Sequence, residues 1–92
     1  MTGPMSENHD NLDPRRKRLL WRASHRGLKE MDLILGGFAK SRIAAMTVKE
    51  LEALEAIIEL SDQELLTWAT KVTPVPREHA SPLLLEMLAF RP

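Results

Sequence analysis

The chain has 92 residues, of which 43% are hydrophobic and 28% charged, a balance typical of one globular domain rather than of a disordered chain. A domain of this size buries only about 60–65% of the surface of its unfolded chain, which argues against a deep substrate cavity and a self-contained enzyme. Cysteine is absent, which excludes disulfides, thiolate metal sites and cysteine nucleophiles. No apolar run reaches the ~20 residues that span a bilayer, and the first residues resemble neither a signal peptide nor a transit helix. We therefore expect a soluble, cytoplasmic protein without a membrane-inserted segment.

Charge is sorted along the chain although the net charge is zero. Residues 15–29 contain seven Lys or Arg and no acid, whereas residues 50–64 contain six acids and no base. Such a distribution either steers a partner or lets one helix neutralise another, and the sequence leaves both alternatives open.

The N-terminal part divides into an arm and a first helix. Residues 1–13, with Gly, Pro, Ser and Asn and few apolar residues, predict a flexible arm, and residues 14–92 a single helical-bundle domain. Asp13 followed by Pro14 predicts a helix start, because the carboxylate caps free amides and proline at the first helical position loses no needed donor. The helix should run to about His25 and end at Gly27 in the left-handed conformation.

A second helix follows, with four apolar residues spaced three or four apart on one face: Leu28, Met31, Leu35 and Phe38. Gly36 and Gly37 each weaken a helix by about 1 kcal/mol relative to alanine. We therefore expect a close helix contact at these glycines rather than a break.

Capping signals define the remaining helices. The tetrapeptides TVKE, from Thr47, and SDQE, from Ser61, fit the capping box, and Ser81 with Pro82 predicts the start of a last helix. The apolar positions expected to be buried in the third and fourth helices are Val48, Leu51, Leu54, Ile57, Ile58, Leu65, Leu66, Trp68 and Ala69. No strand-like run is present. The prediction is an all-α fold, a small bundle of five short helices.

Signatures of metal, nucleotide or catalytic sites are missing. The three histidines, His9, His25 and His79, have no ligand spacing, and Gly36 and Gly37 lie in a predicted helix rather than after a strand. We therefore predict no catalytic, metal-binding or cofactor-binding residue.

The stretch HRGLKEMD places Arg26 and Glu30 around Gly27. In the simplest interpretation Gly27 is a helix cap, Glu30 favours the helix dipole and Arg26 is solvated. In the functional interpretation, Arg26 and Glu30 project from a tight corner as a fixed donor and acceptor that enter a crevice of another protein.

The basic first helix offers an alternative, since clustered Lys and Arg bind phosphates without sequence readout. Two observations weigh against nucleic acid. The chain is neutral overall, and the second helix carries Glu30, Asp32 and apolar residues where a recognition helix would have polar ones.

Three segments together resemble a known family: RRKRLLWRASHRGLKEMDLILGGFAK, MTVKELEALEAIIELSDQELLTWAT and PVP. They are similar to the FAD assembly factors of succinate dehydrogenase over roughly residues 14–90. The most specific parts are the Arg-Gly-x-x-Glu motif (Arg26, Gly27, Glu30), with Asp32 two residues on, the tryptophan of LLTWAT and the proline after it.

The resemblance implies a non-enzymatic helper that binds the flavoprotein subunit of succinate dehydrogenase, with that of fumarate reductase as a second candidate client. FAD is then the cofactor inserted covalently into the partner, not one held stably by the helper. The family's docking surface implies partner-binding roles for Arg26, Gly27 and Glu30, with Arg22, His25 and Asp32 at its border. An antitoxin-like role is the rival within the same resemblance.

Overall fold

The computed structural model describes residues 12–92, and no residue in that range is in a β-strand. Helix α1 spans Pro14–Ser24, α3 Val48–Ile58, α4 Asp62–Ala69 and α5 Pro82–Ala89. Helix α2 is composite: an α-helical turn at Lys29–Met31, a π-helical segment at Asp32–Gly36 and an α-helical part at Gly37–Arg42. Short 3-10 turns lie at Ile43–Ala45 and Arg77–His79. The predicted all-α fold with five helices is confirmed.

Side-chain caps begin four of the five helices where the sequence predicts them. Asp13 accepts from the amide of Arg16, and Ser81 accepts from that of Leu84, 3.2 Å away. Thr47 and Glu50 form a complete capping box, with each side chain bonded to the other's backbone amide. At α4, Ser61 accepts from the backbone amide of Glu64. Each cap satisfies amides that the first helical turn leaves without a partner.

One hydrophobic core joins all five helices. Helix α2 packs against α1 and α4, while α3 packs against α1 and α5. The largest side chains that are fully buried are Met31, Leu35, Ile43, Leu51, Leu54, Leu65, Leu84 and Met87. Trp68 is also buried, as predicted.

Helices α1 and α2 approach closely at Gly36. A Cβ at position 36 would lie 3.0 Å from the Cα of Ser24 and 3.3 Å from the carbonyl oxygen of Ala23. At Gly37 a Cβ would lie 2.9 Å from the ring of Phe90. The predicted close helix contact is therefore confirmed at Gly36, whereas Gly37 packs against a side chain that follows α5.

Two local predictions are wrong. Helix α1 ends at Ser24 with His25 as its C-cap, and no glycine between residues 12 and 92 has a positive φ, so Gly27 is not a left-handed cap. Val48 is 61% exposed rather than buried. It is the first residue of α3, and the buried residues of this helix begin only at Leu51.

The predicted arm of residues 1–13 lies outside the described residues up to Asn11. Its last two residues belong with the bundle: Leu12 is buried in the core and Asp13 caps α1. The pKa of the Asp13 carboxyl is lowered, chiefly by the hydrogen bond from the side chain of Arg16.

The basic segment of α1 faces the acidic segment of α3. Arg15 donates two hydrogen bonds to Glu55, at 2.9 and 3.0 Å, and Arg22 donates one to Glu59, at 2.6 Å. The hydrogen bond from Arg15 is the main cause of a lowered pKa at Glu55. The sorted charges thus serve, at least in part, to neutralise one helix with another. In the described residues, no helix is long and apolar enough to cross a membrane.

Candidate docking surface

The loop between α1 and α2, residues 25–28, is anchored to the rest of the molecule by the side chain of its own Arg26. Only 10% of this side chain is exposed, and its Nε donates to Asp62 Oδ1 at 2.6 Å. Its two terminal nitrogens donate to the carbonyls of Ile58 and Leu60, both at 2.7 Å, at the end of α3. Arg26 therefore points into the molecule. It is neither solvated, as the simplest interpretation of HRGLKEMD predicts, nor the surface donor that the functional interpretation predicts.

Asp62, the first residue of α4, completes the clamp on the loop. Its Oδ2 accepts from the backbone amides of Gly27 at 2.7 Å and Leu28 at 3.1 Å, while Oδ1 accepts from Arg26. Burial of the Asp62 carboxyl acts to raise its pKa, but the hydrogen bonds from Arg26, Leu28 and Gly27 and the charge of Arg26 outweigh burial and hold the pKa below its usual value. The carboxylate is thus ionised, and both of its oxygens accept hydrogen bonds.

Gly27 allows the backbone to come this close to Asp62. A Cβ at position 27 would lie 3.2 Å from Asp62 Oδ2, tighter than most side chains accept. Glycine is needed here for a close approach rather than for a left-handed turn.

Asp32 fixes the other end of the loop. Its carboxylate accepts a hydrogen bond from the backbone amide of Arg26, and its side chain is half-buried at the start of the π-helical segment. Arg26 is therefore held twice, through its amide by Asp32 and through its guanidinium by Asp62. The loop is thus hydrogen-bonded to the body of the molecule at more than one point.

The outer face of the loop presents an aromatic pair. Trp21 is 62% exposed and stacks on His25, with ring centroids 4.0 Å apart and an angle of 15° between the rings. His25 Nδ1 also lies 2.7 Å from the carbonyl oxygen of Trp21, which orients the imidazole. Both residues lie on the last turn of α1 and the start of the loop.

Four of the six residues of the predicted site lie around one cavity, and the other two lie on α2. Arg22, His25, Arg26 and Gly27 line a shallow cavity of about 290 Å³, which Trp21 and Asp62 border. Glu30 is exposed on the first turn of α2, and Asp32 lies behind the loop. We call the outward-facing set, Trp21, Arg22, His25, Gly27 and Glu30, the docking surface.

The sequence did not identify Asp62 as a site residue. The capping box SDQE accounted for Ser61 and Glu64, and a second acid in the first helical turn is common near a helix dipole. The capping box uses Glu64 but not Asp62, and this second acid was the one signal in the sequence that pointed to another role. The sequence could not indicate that Asp62 reaches residues 26–28, more than thirty positions away.

The histidines and carboxylates of the described residues do not cluster. Among residues 12–92, no group of three or more His, Asp or Glu side chains could hold a metal ion. His79 lies beside the indole of Trp68, with ring centroids 5.8 Å apart, and His9 lies outside the described residues.

Comparison with known proteins identifies the family. A family model described as "Flavinator of succinate dehydrogenase" matches residues 17–91. The chain belongs to this family. The matched range contains every residue of the docking surface and both carboxylates that shape its loop.

Relatives of this flavinator family agree with the match. The chain is 44% identical over 79 residues to the "FAD assembly factor SdhE" of Acetobacter pasteurianus, covering 86% of this chain and 72% of that protein. It is 34% identical over 88 residues to the "Succinate dehydrogenase assembly factor 2, mitochondrial" of Saccharomyces cerevisiae, and 32% identical over 88 residues to the protein of the same name in Lodderomyces elongisporus. In both cases the match covers 92% of this chain and 54% of the yeast protein. The family is thus one of assembly factors, not of catalytic enzymes, and the chain spans about half the length of its yeast relatives.

Proposed function

We propose that this protein is an assembly factor that binds the flavoprotein subunit of succinate dehydrogenase and promotes covalent attachment of FAD to it. The observation that carries the proposal is the match of residues 17–91 to the flavinator family. We further propose that FAD is held by the partner rather than by this chain, with the flavoprotein of fumarate reductase as a second candidate client. Similarity to a bacterial FAD assembly factor supports action in the cytoplasm.

The docking surface is the part of the molecule that we propose meets the flavoprotein. Glu30 supplies an exposed carboxylate on the first turn of α2, Arg22 and His25 border the loop, and Gly27 lets the partner approach the backbone closely. Arg26 and Asp32 contribute by fixing the loop, because both bond to its backbone or to the groups beneath it. A preformed loop loses little conformational entropy on binding, which favours affinity.

The chemical step belongs to the partner. Covalent attachment would join a histidine of the flavoprotein to the 8α-methyl carbon of the flavin, with loss of one C–H and one N–H proton, and the flavin itself would accept the two electrons. A helper accelerates this step without touching the bond if it binds more tightly to the conformation in which histidine and methyl group are aligned. The docking surface suits such a role, since its loop is held by hydrogen bonds and it offers a protein partner both charged groups and an exposed tryptophan.

Nucleic acid is not part of the proposed function. Two arginines of the basic helix, Arg15 and Arg22, are paired with Glu55 and Glu59 on α3, which lowers the charge available to phosphates.

The proposed function is tested in cells that lack the protein. Covalent flavin on the flavoprotein subunit is read as in-gel fluorescence after denaturation, with and without the wild-type gene. The proposal requires stronger fluorescence when the protein is present. Equal fluorescence in both strains would refute it.

The docking surface is tested separately, by the affinity of the purified chain for the purified flavoprotein subunit. Glu30→Ala should weaken binding by about 10-fold, the loss expected for a charge-assisted hydrogen bond of about 1.5 kcal/mol. Glu52→Ala is the matched control, since Glu52 is an exposed glutamate in the first half of α3. If both variants bind as the wild type does, Glu30 is not part of the interface.

A further inference from the structure

A groove runs across the bundle beside the docking surface. It consists of two depressions, of about 710 and 460 Å³, and Ala69, Lys71 and Arg91 line both of them. Glu30 lines the smaller depression, so the groove begins at the docking surface. We call the joined depressions the Lys71 groove.

The walls of the Lys71 groove are largely apolar and accessible. Leu33, at the end near Glu30, is 51% exposed, and Leu85, in the larger depression, is 49% exposed. Exposed leucines in a concave surface are typical of a binding site for another protein. The two depressions are open to solvent rather than enclosed and share three lining residues, which suits an extended segment of polypeptide that crosses both.

Lys71 has an unusual backbone conformation. Its φ is 64°, and no other non-glycine residue among residues 12–92 has a positive φ. It ends α4 in the arrangement that usually has glycine at this position: the amide of Lys71 donates to the carbonyl of Trp68, and that of Val72 donates to Thr67. A Cβ is strained in this conformation, so the chain carries a lysine where glycine would be more stable. Strain of this kind is often retained where the side chain has a function.

Charge in the groove is concentrated at its middle. Arg91 is oriented there by hydrogen bonds from Nη1 to the carbonyls of Leu88 and Phe90, at 3.0 and 2.9 Å. The cations Lys71 and Arg91 line both depressions, whereas the one acidic lining residue, Glu30, lies in the smaller depression alone. A ligand that fits carries apolar side chains and, between them, a carboxylate.

We propose that the Lys71 groove binds an extended apolar segment of the flavoprotein subunit, whose carboxylate pairs with Lys71 and Arg91. This inference rests on the proposed function, because the groove is continuous with the docking surface through Glu30. The two surfaces together give the flavoprotein a rigid polar contact at the loop and an apolar contact along α4 and α5. Binding along both would restrict the orientation of the client more than the loop alone.

The test measures the affinity of purified variants for the purified flavoprotein subunit. Lys71→Gly removes the ammonium group and relieves the backbone strain, so a loss of binding cannot come from unfolding. We expect Lys71→Gly and Arg91→Gln each to raise Kd by about 10-fold, as for loss of one charge-assisted contact. Lys40→Gln, which removes an exposed charge from α2, should bind as the wild type does. Unchanged affinity for Lys71→Gly and Arg91→Gln would overturn the assignment of the groove.

A photo-crosslinking residue in place of Leu85 identifies what occupies the groove. With the purified flavoprotein subunit present, we expect a crosslink to that subunit. A crosslink between two copies of this chain instead would overturn the assignment and make the groove a self-association surface. If Glu30→Ala weakens binding but Lys71→Gly does not, the groove assignment fails and the proposed function stands. If the wild-type chain does not bind the flavoprotein, both fail.

Discussion

Arg26 belongs to a surface loop, but its side chain bonds to groups inside its own molecule. Its guanidinium bonds to Asp62 and to two carbonyls at the end of α3, where water is largely excluded. A planar guanidinium can satisfy these three acceptors at once, whereas a lysine ammonium cannot reproduce that geometry. The motif that resembles a partner-binding signature is thus also a structural clamp between the loop, α3 and α4.

Arg26→Ala should lower the free energy of unfolding by about 3 kcal/mol, because it leaves the mostly buried Asp62 carboxylate without its charged partner. Arg22→Ala is the control, since its ion pair with Glu59 is exposed and such pairs contribute no more than about 1 kcal/mol. Chemical denaturation followed by circular dichroism measures both. Equal losses of unfolding free energy for the two variants would show that the contact between Arg26 and Asp62 stabilises the fold no more than an exposed ion pair does.

Acid should unfold the protein partly through Asp62. Because the pKa of this carboxyl is lower in the folded chain, its contribution to stability is present above the unfolded pKa of about 3.9 and is lost as pH falls through the folded pKa. Asp62→Asn should therefore be less stable at neutral pH and should show a flatter decline below about pH 4. Denaturation curves at several pH values test this, with Glu52→Gln, a change at an exposed carboxylate of α3, as the control that keeps the Asp62 contribution. A decline in Asp62→Asn as steep as in the wild type would exclude Asp62 as a source.

Helices α1 and α2 show how one element is shaped by its neighbour. The backbone of α1 at Ala23 and Ser24 leaves no space for a side chain at Gly36, the last residue of the π-helical segment. At Gly37 the obstacle is instead the ring of Phe90, which can rotate away. The two adjacent glycines therefore have different tolerance, although their sequence context is nearly the same.

Gly36→Ala should destabilise the protein by about 1–3 kcal/mol, since the backbone of α1 would have to move. Gly37→Ala should cost far less, because displacement of the Phe90 ring is offset by a helix propensity gain of about 1 kcal/mol. Thermal unfolding of both variants makes the comparison. Equal tolerance at the two positions would contradict the packing described for α1 and α2.

For the whole molecule, local signals predicted more than long-range ones. The starts of α1, α3, α4 and α5 followed from Asp13, Thr47, Ser61 and Ser81, because a cap acts within three or four residues of its own position. The clamp of Arg26 on Asp62 joins residues 36 positions apart, so sequence spacing gave no indication of it.

The same limit applies to the helix interior and to the groove. The π-helical segment of α2 lies where α2 contacts α1, and the positive φ of Lys71 lies where α4 ends. Neither has a residue signature. The docking surface was predictable only through resemblance, since Arg22, His25 and Glu30 alone are ordinary exposed residues.

The most direct test of the account is a time course of covalent flavin formation with purified flavoprotein subunit, free FAD and this protein. We predict that the wild type and Glu52→Ala accelerate formation to the same extent, and that folded Glu30→Ala accelerates it markedly less. An identical rate with and without the wild-type protein would contradict the central claim that its binding promotes attachment of FAD.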